Sequence, residues 1–165
     1  MILEFGSYKL DVDVERTRAY YETARPISEG CSCCGCRNYV NAIDFLPKEV
    51  QLFFSQLGID MRKSPDVHIH CAYTDNTMLY GGWYHICATL IRGESAFIQT
   101  SPTSSYFDES KTFSVTSDFK VSFEKNCSLL DDKFPRPVIQ LEIHAYIPWV
   151  LAEEHGYGMD AKPTK

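Results

Sequence analysis

Four cysteines crowd one short run, Cys31-Ser32-Cys33-Cys34-Gly35-Cys36. Thiolate sulfur pairs well with a borderline-soft ion such as Zn²⁺, and the two-residue gap between Cys33 and Cys36 lets one turn of chain wrap a metal. Gly35 helps that turn bring backbone N–H groups toward the sulfurs. A tetrahedral structural site needs four donors, and outside this run the chain has no Cys-x-x-Cys pair. Cys31 and a distant side chain then complete the set, or a second subunit supplies the missing donor. His85, in an otherwise apolar stretch beside Trp83 and Cys87, is the distant candidate. The expected ligands are therefore Cys31, Cys33, Cys36 and His85. The same thiols permit redox or regulatory exchange, because Cys33 precedes an expected helix and a helix N-terminus stabilises a thiolate. Ordinary packing of small side chains in a turn is the third reading.

The remaining polar candidates are scattered. His68 and His70 stand two apart on one expected strand, and Glu142 and His144 repeat that spacing on another. Period-two spacing points both members of each pair the same way, so four N/O donors can converge; the simpler reading is the wet face of two strands. A buried histidine ordinarily satisfies its ring by hydrogen bonding, so His85 is expected to reach a polar partner such as Glu142 if it reaches no metal. Cys71, Cys87 and Cys127 are expected only to pack.

Several chemistries have no support. The chain contains neither G-x-x-x-x-G-K-S/T nor G-x-G-x-x-G, so no nucleotide cofactor is expected, and G-x-S-x-G and H-E-x-x-H are absent too. Sixteen Lys and Arg against 22 Asp and Glu leave a net charge of −6, which argues against general affinity for nucleic acid or an anionic membrane. No apolar run is long enough to span a bilayer; the best, Gly81 to Ile91, is interrupted by His85 and Thr89.

The elements that must position these residues can be read from periodicity. A length of 165 residues suits a single globular domain, 1–165, with a polar tail over 153–165 that frays. Residues 2–14 alternate as one or two short strands, and 16–25 suggests no more than a helical turn. Cys36, Tyr39, Val40, Ile43 and Leu46 make one helical stripe, which Pro47 ends. Val50, Phe53, Phe54 and Leu57 make a second, stopped by Gly58. Strands follow over 66–73, 78–91 and 96–100, with Gly81-Gly82 marking a bulge or bend, and 101–110 reads as a loop. Residues 113–123 predict a half-buried strand or hairpin, and Ile139 to Ile147 a strong strand. Strands outnumber helices and no crossover helix alternates with them. The fold class is α+β, a mainly antiparallel sheet forming a sandwich or partial barrel, capped by two consecutive short helices.

The segments CSCCGCRNYVNA, FLPKEVQLFFSQLGID, LYGGWYHICATL and IQLEIHAYIPWVL resemble a small family of uncharacterised bacterial proteins with a Cys-rich CRN(F/Y) segment and a GWYH strand. The resemblance covers most of residues 31–151. It implies a bacterial-type cytosolic domain, draws attention to Cys33, Cys36, Arg37, Asn38 and His85, and carries no activity or cofactor with it.

Two functions follow as expectations. The first is a noncatalytic binding or protein-interaction domain, braced by a structural Cys-rich zinc site and meeting a protein partner or a second copy through a surface drawn from its ten Phe and ten Tyr. The second is a small metal-dependent or thiol-redox enzyme using Cys33, Cys36 and His85, with no catalytic residue assignable. An odd number of cysteines, seven, and the lack of a readable secretory signal favour a reducing cytoplasm.

Overall fold

In a computed structural model that describes residues 1–74 and 76–158, the chain folds as an antiparallel sheet with a helical layer on one face. The strands are β1 (Ile2–Phe5), β2 (Tyr8–Val12), β3 (Asp66–Thr74), β4 (Thr77–Arg92), β5 (Phe97–Ser101), β6 (Ser104–Phe107), β7 (Phe113–Thr116), β8 (Phe119–Glu124) and β9 (Val138–Pro148). The helices are α1 (Val14–Thr23), α2 (Ile27–Gly30), α3 (Cys34–Ala42) and α4 (Lys48–Gln56). Seven strands form one sheet in the order β1-β2-β4-β9-β8-β7, with β3 also on β4, while β5 and β6 form a separate hairpin.

The long strand β4 organises everything else. Its Tyr80, Tyr84, Ile86 and Ala88 are buried toward the helices, as are Leu141, Ile143 and Ala145 of β9, which pairs with it from Thr77 to Cys87. Alternation then sends Gly81, Trp83, His85 and Cys87, with Gln140, Glu142 and His144 of β9, to the opposite face. Gly81 and Gly82 keep regular register with both neighbours; the irregularity expected there lies instead in β3, between Ile69 and Cys71.

On its other edge β4 is divided, pairing with β3 as far as Trp83 and with β2 from Ala88 onward. Helix α1 fills the gap. The Tyr21 hydroxyl accepts the His85 N–H and donates to its carbonyl, 3.1 Å each; Thr17 Oγ1 accepts the Cys87 N–H at 3.0 Å, and the Asp13 N–H donates to the Cys87 carbonyl at 2.8 Å. These residues are four apart, one stripe of a helix, so α1 substitutes for a strand. Asp13 also caps it, accepting the Arg16 N–H.

The sheet curls until its outer strands meet through side chains. Phe5 of β1 lies 5.5 Å from Phe113 of β7, and the Tyr8 hydroxyl reaches the Lys111 carbonyl at 2.5 Å. This is a partial barrel closed by aromatic packing, with no hydrogen-bonded ladder between β1 and β7. Helix α4 plugs it: Phe53 packs on Phe5 and Phe113, and Phe54 on Tyr84 and Phe119. Gly58, at φ 77°, ends that element in the left-handed region, which glycine enters without the steric cost a Cβ would bring.

Other expectations are revised. Among the described residues four helices replace the expected two, α3 begins at Cys34, and residues 101–110 contain β6. Of the tail, residues 153–158 fold back: Trp149 Nε1 donates to the Glu153 carbonyl, Arg37 pairs with Glu153, and the Ala72 N–H donates to the Gly158 carbonyl. Residues 159–165 lie outside the described part.

Candidate metal centre

The cysteine run straddles the start of α3. Cys33, in extended backbone at φ −64° and ψ 157°, is the N-cap, and its sulfur accepts the Cys36 N–H at 3.4 Å. That hydrogen bond turns the Cys33 and Cys36 side chains toward each other across the first turn. Cys31 approaches from the end of α2, its Sγ donating to Cys33 Sγ at 3.2 Å. The sulfurs of Cys31, Cys33 and Cys36 all lie within 4.8 Å of one another, a spacing from which three thiolates can hold one metal ion. Cys34 points elsewhere, 3.9 Å from the Tyr157 hydroxyl.

Close packing holds the first turn of α3 in place. A side chain on Gly35 would meet the Tyr157 hydroxyl at 3.2 Å and Ile69 at 3.4 Å, so the glycine lets α3 settle on β3. One turn on, Asn38 is fully buried; its Nδ2 donates to the Tyr80 hydroxyl and the Pro148 carbonyl, and its Oδ1 accepts the Val150 N–H. Tyr80 returns its own proton to the Gly35 carbonyl at 2.8 Å. Tyr39 and Tyr84 share a hydrogen bond at 2.5 Å below them.

The three thiols differ electrostatically. Cys31 is held below the ordinary thiol range, chiefly by the Cys33 backbone N–H, then by the Cys36 and Cys33 thiols. Cys36, buried, is pushed well up by desolvation and by its hydrogen bonds to Cys31 and Cys33. Cys31 is thus the readier anion, and Cys36 gives up its proton when a cation replaces it. All three line a cleft of about 1360 Å³ that Arg25, Lys63, Asp66, His68 and Tyr157 also border.

His85 stands outside this group. It is buried, its ring faces Phe134 at 5.6 Å, and its Nε2 has no hydrogen-bond partner among the described residues. Burial pushes its pKa down against the opposing influence of the Gln140 side chain and the Ser128 backbone, which keeps the ring neutral. The expected bond to Glu142 is not made; Glu142 instead accepts from Gln140. The other scattered candidates divide in two. His68 and His70 meet edge to face, ring centroids 4.8 Å apart, whereas His144 pairs with Glu109 at 3.1 Å and stacks on Phe107. Glu142 is pushed up to about 7, first by burial and then by the Glu124 and Asp66 charges, against the Gln140 hydrogen bond.

Comparison with protein-family models, with curated proteins and with solved structures finds no match. No helix among the described residues is long and apolar enough to cross a membrane.

Proposed function

We propose that the protein is a noncatalytic binding domain whose Cys31, Cys33 and Cys36 thiolates hold Zn²⁺. The convergence of three sulfurs within 4.8 Å at the start of a helix carries this reading. Three negative sulfurs around a divalent ion leave excess negative charge, which the positive end of α3 favours. Because the three cysteines line an open cleft, a donor from a protein partner or a second copy would complete the tetrahedron. His85 is outside the set. The setting proposed is a reducing cytoplasm, which keeps thiols available as ligands. We also propose, on the likeness of its Cys-rich and GWYH segments alone, that the chain belongs with the bacterial family those segments resemble.

Titration of anaerobically reduced protein with Co²⁺ tests this reading. Thiolate-to-cobalt charge-transfer absorption should saturate at one equivalent, disappear on adding Zn²⁺, and weaken strongly in Cys33→Ser and Cys36→Ser. A band of unchanged strength in both variants would remove the site.

The 3.2 Å contact between Cys31 and Cys33 supports a second reading, a thiol-redox pair. Hydrogen peroxide would oxidise one thiolate to a sulfenic acid and leave as water; the other thiol would then attack that sulfur and expel its hydroxyl as a second water, leaving a disulfide. Counting thiols after peroxide treatment tests it: a loss of two that Cys31→Ser abolishes supports the pair, and no loss excludes it.

A further inference from the structure

On the sheet face away from the helices, Gly81 leaves a gap in a row of polar side chains. Register puts His68 of β3 on one side of it and His144 of β9 on the other. A Cβ added at Gly81 would lie 2.7 Å from His68 Nε2 and 2.6 Å from His70 Nε2. Both ring nitrogens therefore occupy the space that any larger residue at 81 would fill. The register shift between Ile69 and Cys71 falls at His70, where the strand departs from regular pairing. His68 is also oriented from behind, its Nδ1 standing 3.1 Å from Asp66 Oδ2. A carboxylate accepting Nδ1–H fixes the tautomer whose Nε2 lone pair points toward Gly81, the usual support of a metal-bound imidazole. His144, held by Glu109, forms the far wall, its ring 6.2 Å from that of His70.

We infer that His68 and His70 form a second cation site above Gly81, taking a borderline divalent transition ion such as Zn²⁺ or Ni²⁺, with water filling the remaining positions. Imidazole nitrogen suits these ions, and the glycine admits them where a side chain would not. The site shares no ligand with the cysteine cluster and stands whether or not that cluster binds metal.

Trp83 provides the readout, since its ring lies 6.4 Å from that of His68. In a Trp149→Phe background Trp83 is the sole tryptophan. Titration with Ni²⁺ should quench its fluorescence saturably. The apparent affinity should fall by roughly 10- to 100-fold in Asp66→Asn and at least as much in His68→Ala and His70→Ala. Gly81→Ala keeps both histidines but displaces their rings, so it should lose the quench as well; if it fails to fold, the histidine variants decide. Thiolate-to-nickel absorption, which reports only the cysteines, should be unchanged in the histidine variants. Saturable quenching that survives the loss of both histidines, that disappears only in Cys33→Ser, or that is missing from the parent protein overturns the inference.

Discussion

The Tyr21 hydroxyl stands 3.1 Å from both the backbone N–H and the backbone carbonyl of His85. A side chain thereby does the work of a strand at a buried point of the sheet where β3 has ended and β2 has not begun. Tyr21→Phe should leave both groups without their partner and cost about 1 to 3 kcal/mol, read by urea denaturation. Unchanged stability would mean that water or a shifted strand satisfies them equally well.

Phe53 joins the two ends of the curled sheet, packing on Phe5 and Phe113 while only 6% exposed. Phe53→Ala should cost on the order of 3 to 5 kcal/mol by chemical denaturation. A cost below about 1 kcal/mol would show that the partial barrel closes without it.

Glu142 is expected to tie stability to pH. Its folded-state pKa of about 7 lies above the ordinary carboxyl value of 4.5, so between these values the folded state holds more protons than the unfolded state. Its contribution is fully present below about 4.5 and is lost as pH rises toward and through 7. His85 and His144, whose pKa values are lowered chiefly by burial, act oppositely, their contribution being lost as pH falls through their folded values. The difference between wild type and Glu142→Gln isolates the carboxyl: the variant should gain up to about 3 kcal/mol relative to wild type between pH 5 and pH 8. Parallel stability curves for the two proteins would contradict the assignment.

His85→Leu should leave metal uptake by the cysteines unaltered and should cost less than about 1 kcal/mol, because removing the buried, unsatisfied Nε2 offsets the loss of the ring's interactions with Gln140 and Ser128. Equilibrium dialysis against Zn²⁺, paired with thermal unfolding, checks both halves. Reduced zinc in this variant would return His85 to the ligand set.

Much of this arrangement is legible in the sequence because it follows simple periods. Alternation exposes β4 and β9, the apolar stripe exposes α3 and α4, and Cys31, Cys33 and Cys36 converge as their spacing suggests. Helix α1 is missed for a physical reason: the stripe it buries is Asp13, Thr17 and Tyr21, whose task is hydrogen bonding to a strand edge, so no apolar period marks it. His85 is a candidate ligand by its local setting alone. Its separation from the sulfurs depends on which strand face meets α3, a long-range fact that spacing does not encode. The approach of His68 and His70 to Gly81 depends equally on cross-strand register and on an irregularity in β3, neither of which leaves a local mark.

Whether three thiolates hold one ion is decided by X-ray absorption at the zinc edge on protein purified anaerobically and loaded with one equivalent of Zn²⁺ in a His68→Ala/His70→Ala background. A three-thiolate centre requires three sulfur neighbours at about 2.3 Å and one lighter donor. Zinc surrounded by oxygen and nitrogen alone, or a protein that takes up no zinc with its thiols reduced, would contradict it.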